Sequence, residues 1–286
     1  MSLDIVLVTC ERWPEISTSD ALLAEELTRL GHRVRGLPWN AAPLSAFTCA
    51  DLVVLRSNWD FHHDMGAFTA WLGAVDASDA QLRNSCALVR AHEHKRYLQR
   101  YAQAGIATPA TLSLDRFEPM RVEAWMAERG FERVVCKPAW GASGHGVSLV
   151  HRDEIRDHAA RWRSNGERRS VVIQEFVPQI SGGEYALVFF GGAYSHALHR
   201  MPSNEDFRVN TQYGGTMTAA ADLPAAAIDF AEHVVRVFPE AATYARIDIV
   251  ATDTGFALME VEVNEPALGL HLAPDAARRF ARALTE

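Results

Sequence analysis

Arg246-Ile247-Asp248-Ile249-Val250 and, a short link later, Leu258-Met259-Glu260-Val261-Glu262-Val263-Asn264-Glu265-Pro266 are two apolar runs that both carry acids. On a β-strand alternate side chains share a face. Glu260, Glu262 and Asn264 therefore fall on one face, with Val261 and Val263 on the other. In the first run Arg246, Asp248 and Val250 share a face while Ile247 and Ile249 point away. The link Ala251-Thr252-Asp253-Thr254-Gly255 supplies Asp and Gly turn chemistry, so the runs are expected to pair as an antiparallel hairpin. Pairing would bring Asp248 to Glu262 and Asn264 as a hard-oxygen cluster with Arg246 beside it. Such ligands suit Mg²⁺, which takes one or two carboxylates and completes its shell with phosphate oxygens and water. A solvated edge hairpin would account for one such strand. Two facing strands with acids inside apolar runs favour a metal site.

The chain around this hairpin has 286 residues, enough for two domains and a sizeable core. It is 48% hydrophobic and 22% charged, ordinary for a globular protein. A formal net charge of −8 gives no electrostatic case for nucleic acid or an anionic membrane as partner. No apolar run reaches the length of a membrane span, and the first residues lack a signal-peptide pattern. Cys10, Cys49, Cys86 and Cys136 are scattered without a C-x-x-C pair. A cytoplasmic, disulfide-free protein is the expectation.

Ile5-Val6-Leu7-Val8 and Asp51-Leu52-Val53-Val54-Leu55 are continuous apolar runs, the pattern of strands buried on both faces. A weaker strand at Val34–Leu37 and helices at about Ser19–Leu30, with Ser19 and Asp20 as cap, and Phe68–Val75 complete a small parallel α/β unit. Ligands of such sheets sit beyond the carboxyl ends of the strands, which puts Cys10–Arg12 and Arg56–Asp60 on one rim. Arg56 is a candidate for gripping a carboxylate through two parallel hydrogen bonds; a surface ion pair would explain it equally well. The pattern changes near residue 90, where a helix is expected over 92–104 with His92 and His94 solvated, since i and i+2 face different ways.

Further on, Val134-Val135-Cys136-Lys137-Pro138 is a strand with one lysine, followed by Gly141-Ala142-Ser143-Gly144-His145-Gly146. Glycines let backbone N–H groups approach phosphate, although this spacing is neither the P-loop nor the dinucleotide fingerprint. A charged residue inside an apolar strand is usually kept for a partner. A polar helix is expected over 152–166. In Val171–Pro178 the proline ends ladder pairing, leaving residues 175–177 with free backbone groups able to read an adenine edge. Glu184–Phe190 and Tyr194–Arg200 flank the turn Gly191-Gly192. Asp206–Asn210 alternates as a strand with Arg208 and Asn210 on one face, and 222–238 is a long helix.

Lys95, Lys137 with its glycine loop, Glu175-Phe176-Val177, Glu184, Asp-Phe-Arg-x-Asn with Gly-Gly, and Glu262-Val263-Asn264 occur in the order used by ATP-grasp ligases, which the chain resembles over nearly its whole length. The C-terminal stretch is similar to the glutathione synthetase and ribosomal S6 modification branch. The start, with Leu7–Glu11 and Val53–Phe61, is similar to the D-cycloserine synthetase (O-ureidoserine cyclo-ligase) group. Two departures from that group stand out, Arg200 where lysine is usual and Asn264 where an apolar residue is common; the second leans towards peptide-type ligases.

The resemblance implies an α/β chain, α+β in its C-terminal part. A parallel α/β substrate-side domain (1–90) would precede two α+β subdomains gripping the nucleotide, a lid (91–170) and a C-terminal subdomain with the metal site (171–286). It implies ATP and Mg²⁺, two ions, as cofactors. Lys95 and Lys137 would hold the α- and β-phosphates, and Ser143–Gly146, including Gly144, would close over the γ-phosphate. Glu175, Phe176 and Val177 would surround adenine, Glu184 would bind ribose, and Asp248, Glu262 and Asn264 would hold Mg²⁺. Arg200, Arg208, Asn210 and Arg246 would face the transferred phosphoryl group. A small amino-acid-like substrate would meet Cys10, Arg56, Asn58 and Asp60. Dimerisation is common among similar ligases, so a homodimer stays open, though no residue marks an interface. The activity implied is carboxylate–amine ligation through an acyl phosphate. An intramolecular cyclo-ligase, a kinase sharing the first half-reaction and a nucleotide-binding protein without chemistry are the alternatives.

Overall fold

Four short strands, β1 (Asp4–Thr9), β2 (Arg33–Pro38), β3 (Leu52–Leu55) and β4 (Gln81–Arg83), pair in parallel in the order β2-β1-β3-β4 in a computed structural model that describes residues 2–164 and 170–286. Ile5–Val8 and Val53–Leu55 are fully buried, as unbroken apolar runs demand of strands covered on both faces. A second sheet of β5 (Thr111–Leu114), β6 (Arg133–Pro138), β7 (Ser148–His151) and β8 (Val171–Glu175) is antiparallel in the order β5-β8-β6-β7. The third, β11-β10-β9-β12-β13, is antiparallel and comprises β9 (Glu184–Phe190), β10 (Ala193–Met201), β11 (Thr216–Ala219), β12 (Tyr244–Thr252) and β13 (Gly255–Glu262).

Two hairpins of the third sheet follow their turn chemistry. Gly191 and Gly192 take φ of 57° and 79°, the left-handed pair that a tight two-residue connection between β9 and β10 requires. β12 and β13 meet across Asp253-Thr254, with Thr252 opposite Gly255.

The second sheet keeps its own core, drawn wholly from residues 112–173 and including Val122, Met126, Val134, Trp162 and Ile173. The first and third sheets share one. Ile5, Leu7 and Val54 pack with Ala186, Val188, Leu198, Tyr244 and the C-terminal helix Ala276–Thr285, where Phe280 stacks on Phe190 at 4.6 Å between centroids. Strand β8 belongs to the second sheet, so sheet membership changes after Glu175 rather than at residue 170.

Several local expectations are corrected. The helix expected over 92–104 is two, Cys86–His92 and Tyr97–Gln103, joined by a turn. Because His92 ends the first helix and His94 sits in the turn, both are buried, not solvated. The first long helix is Thr18–Arg29, capped by Ser17, whose hydroxyl accepts from Asp20 N–H at 3.1 Å. Residues 206–210 form no strand. The polar helix spans Ile155–Ser164, and its expected end at Gly166 lies outside the described residues.

Candidate active site

A cleft is lined by residues of the second and third sheets and by Phe61 and Val89 of the N-terminal part. Its apolar half is a slot. Phe176 and Phe207 meet edge to face at 6.1 Å, and Val177, Ile180, Val209 and Met259 line the same slot. These walls come from three separate segments, so no local pattern marks them as a group. The backbone here is less open than the sequence suggests. Glu175 N–H donates to Ala110 O at 2.9 Å and Val177 O accepts from Ile180 N–H at 3.1 Å. The Glu175 carboxylate accepts from Ala110 N–H at 3.1 Å.

The polar half is built from lysines, a glycine loop and acids. Lys137 projects from β6 and donates to Gln174 Oε1, its neighbour on β8, at 2.9 Å. Burial, with Lys95 nearby, pulls its ammonium down to about 8. The loop after β6 folds back through positive φ at Ser143 (55°), Gly144 (69°) and Gly146 (69°). The 208–213 segment lies across it. The Tyr213 hydroxyl donates to Gly144 O at 3.3 Å, the Arg208 guanidinium donates to Val147 O at 3.4 Å, and Gln212 donates to Ser143 O. A Cβ on Gly144 would sit 2.7 Å from Asn210 Oδ1, so glycine is required for this approach. Arg208 is itself gripped by Asp206 at 2.6 Å and lies over the Tyr213 ring.

At the floor stands the hairpin. Asp248 is directly opposite Glu260, and Arg246 is opposite Glu262. A register shift follows Asp248. Oxygens of Asp248, Glu260 and Glu262 all lie within 4.8 Å of one another. Arg246 is fixed by both Asp248 oxygens at 2.8 Å, by Glu262 at 2.6 Å and by Ala267 O at 3.1 Å. Arg200 donates to Glu184 at 2.7 Å and to Asp248 at 3.1 Å. Burial, only partly offset by Arg200 and Arg246, pushes the Glu184 and Glu262 carboxyls above the usual range. Glu265, also facing the cleft, moves the same way through burial and the nearby Glu262. Crowded acids that resist ionisation are what a divalent cation relieves, and an all-oxygen set fits Mg²⁺. Asn264 also lines the cleft; its Oδ1 accepts from Asn58 at 3.1 Å, and its Nδ2 is buried without a partner.

The expected nucleotide residues line one cleft together with Arg200, Arg208, Asn210, Glu262 and Asn264, whereas Arg246 and Asp248 are buried behind its lining, bonded to Glu262 and Arg200. The substrate-side set does not line it. Asp20, expected as a helix cap, is instead held by Arg56, which donates to it at 2.9 Å and to Pro266 O at 2.9 Å. Asp60 accepts from Trp39 at 2.8 Å and Asn40 at 2.9 Å. Cys10 is buried beside Asp60, and burial raises its thiol. Asn58 stays outside the cleft lining and donates to Asn264 Oδ1 at 3.1 Å. Glu260, Gln174 and Glu265 were missed as site residues; alternation with Glu262 was the available signal for Glu260.

Residues 103–271 match the family described as prokaryotic glutathione synthetase, ATP-grasp domain, and residues 5–84 match the D-cycloserine synthetase DcsG N-terminal domain. The chain belongs to the ATP-grasp family. It is 31% identical over 254 residues to the cycloserine biosynthesis protein DcsG of Streptomyces lavendulae, covering 82% of this chain and 83% of that one. It is 24% identical over 289 residues to a probable alpha-L-glutamate ligase of Sodalis glossinidius, covering 96% and 91%. The crystal structure of D-cycloserine synthetase DcsG superposes with a TM-score of 0.85 at 24% identity over 98% of both chains, a likeness of fold.

Proposed function

We propose that the protein is an ATP- and Mg²⁺-dependent carboxylate–amine ligase acting on a small amino-acid-like substrate. The observation that carries this is the convergence of two lysines, a glycine loop and three carboxylates on one cleft that also has an aromatic slot. Adenine would enter the slot between Phe176 and Met259, with ribose towards Glu184. Lys95, Lys137 and Ser143–Gly146 would hold phosphates, and Asp248, Glu262 and Asn264 would hold the metal, with two ions as the expected number. Bound there, Mg²⁺ would neutralise phosphate charge and act as a Lewis acid. In function we divide the chain into a substrate-side unit to residue 90, a lid that includes β8, and a C-terminal unit with the metal site.

The substrate carboxylate attacks the γ-phosphorus, breaking its bond to the bridging oxygen and giving an acyl phosphate and ADP. The amine then attacks the acyl carbon, loses a proton and expels phosphate. Phosphoryl transfer needs little covalent help, so the side chains position and balance charge. Arg246 keeps Asp248 and Glu262 in place, and Arg200 links Glu184 to Asp248. Arg208, Gln212 and Tyr213 fasten the glycine loop that would close over the phosphates, and Asn210 packs against Gly144.

The N-terminal match to D-cycloserine synthetase favours a second reading, in which amine and carboxylate belong to one molecule and a ring is the product. Phosphate release from ATP with Mg²⁺, screened over single amino acids, ureido-type amino acids included, and then over pairs, tests both. Turnover needing two substrates establishes the intermolecular ligase; turnover with one substrate, giving a product of that substrate's mass less one water rather than a dimer of it, establishes the cyclo-ligase. ATP binding without release across the screen would defeat both.

A further inference from the structure

Two of the three converging carboxylates are held by arginines, Asp248 by Arg246 and Arg200, and Glu262 by Arg246. Glu260 is held by a lysine instead, Lys95, whose ammonium contacts its Oε1. Backbone bonds on both sides fix this meeting. Lys95 N–H donates to Ala139 O at 2.9 Å, just beyond the strand that carries Lys137. Two residues on, the Tyr97 hydroxyl accepts from Val261 N–H, next to Glu260, at 2.9 Å. Lys95 is thereby suspended between the phosphate side of the cleft and the acid trio.

One ammonium cannot fully serve two anions. Moving Lys95 to a phosphate would leave Glu260 half-buried, unpaired and facing new negative charge, which is costly unless another cation replaces the lysine. We propose that the Lys95–Glu260 pair makes nucleotide capture conditional on a divalent cation: Lys95 passes from Glu260 to a phosphate oxygen only when the cation neutralises the carboxylate. Glu260 is a positioning residue acting through Lys95 and the metal. This rests on reading the cleft as a Mg²⁺–nucleotide site.

Calorimetric binding of ADP, with EDTA and with saturating Mg²⁺, tests the exchange in the full-length protein, in Glu260→Gln, in Lys95→Met and in the double variant. Glu260→Gln tightens metal-free ADP binding roughly tenfold or more, the scale of one released charged contact. Its Mg²⁺-loaded binding does not tighten, so dependence on the metal narrows. In the Lys95→Met background the gain disappears, because the pair is already broken. Unchanged metal-free affinity in Glu260→Gln, or a gain that persists without Lys95, overturns the proposal. A purely structural pair would change the melting temperature and leave the metal dependence intact, which also overturns it. Glu260→Ser removes the same charge with less bulk and replaces Glu260→Gln if that variant does not fold. Wild-type protein that binds ADP under neither condition removes the nucleotide reading itself, and the exchange with it.

Discussion

Arg56 and Arg246 are buried guanidiniums, 2% and 3% exposed, each set in or directly after an apolar strand. Arg56 meets one acid, Asp20, and one carbonyl, and lies against the faces of Tyr244 and Phe280 at 5.4 and 5.5 Å. Its charge is cancelled within the protein. Arg246 meets two acids beside a cleft where Glu184, Asp248, Glu260, Glu262 and Glu265 outnumber Arg200, Arg246, Lys95 and Lys137. Negative charge is left over. A polar residue in an apolar strand is therefore no mark of a site by itself; uncompensated charge is.

The largest effect expected from this contrast is on folding. Arg56→Met leaves Asp20 buried with only the Ser17 and Ser57 hydroxyls as partners, at a cost of about 3–5 kcal/mol, the scale of breaking a buried pair. Denaturant titration measures it, and near-normal stability would show that Asp20 finds other compensation. Glu262→Gln sharpens the contrast from the other side. Turnover falls roughly 10²–10³-fold, on the scale of losing one preorganised group. Yet the ligand-free protein keeps or gains stability, since burial already favours the neutral form of that side chain. Steady-state phosphate release and a melt on one preparation check both halves. Arg246→Ala offers no such separation, because it strips Glu262 of its guanidinium partner and leaves Asp248 with Arg200 alone.

The smallest effect concerns the turn that delivers Lys95. His92 lies 2.9 Å from Leu88 O and 2.8 Å from the Tyr101 hydroxyl, and burial pulls its pKa down to about 4. The unfolded chain, with a histidine near its ordinary value, binds the proton first, so stability is lost as pH falls from about 6.5 towards 4. The loss reaches at most about 3 kcal/mol. Chemical denaturation across that range should show a shallower fall in His92→Gln than in wild type.

Patterns confined to neighbouring residues were legible in the sequence: the runs Ile5–Val8 and Leu52–Leu55, the Gly191-Gly192 turn and the acid-bearing hairpin. What depended on distant partners was not. Asp20 is 36 positions from Arg56, and Pro266 is 210. The aromatic slot needs Phe176, Phe207 and Met259 from separate segments. Alternation put Glu260 on the right face, but only the register, with its shift after Asp248, shows that it stands opposite that aspartate. His92 and His94 were misjudged because a continuous helix was expected where the chain turns.

The division of the cores has a mechanical consequence. The parallel sheet and the five-stranded sheet are fastened together by Phe280, Tyr244 and their neighbours, and the Tyr244 hydroxyl donates to Leu55 O at 2.7 Å across that seam. The antiparallel four-stranded sheet carries its own interior. A swing of that sheet against the other two, as a lid over a nucleotide would need, would therefore break open neither interior.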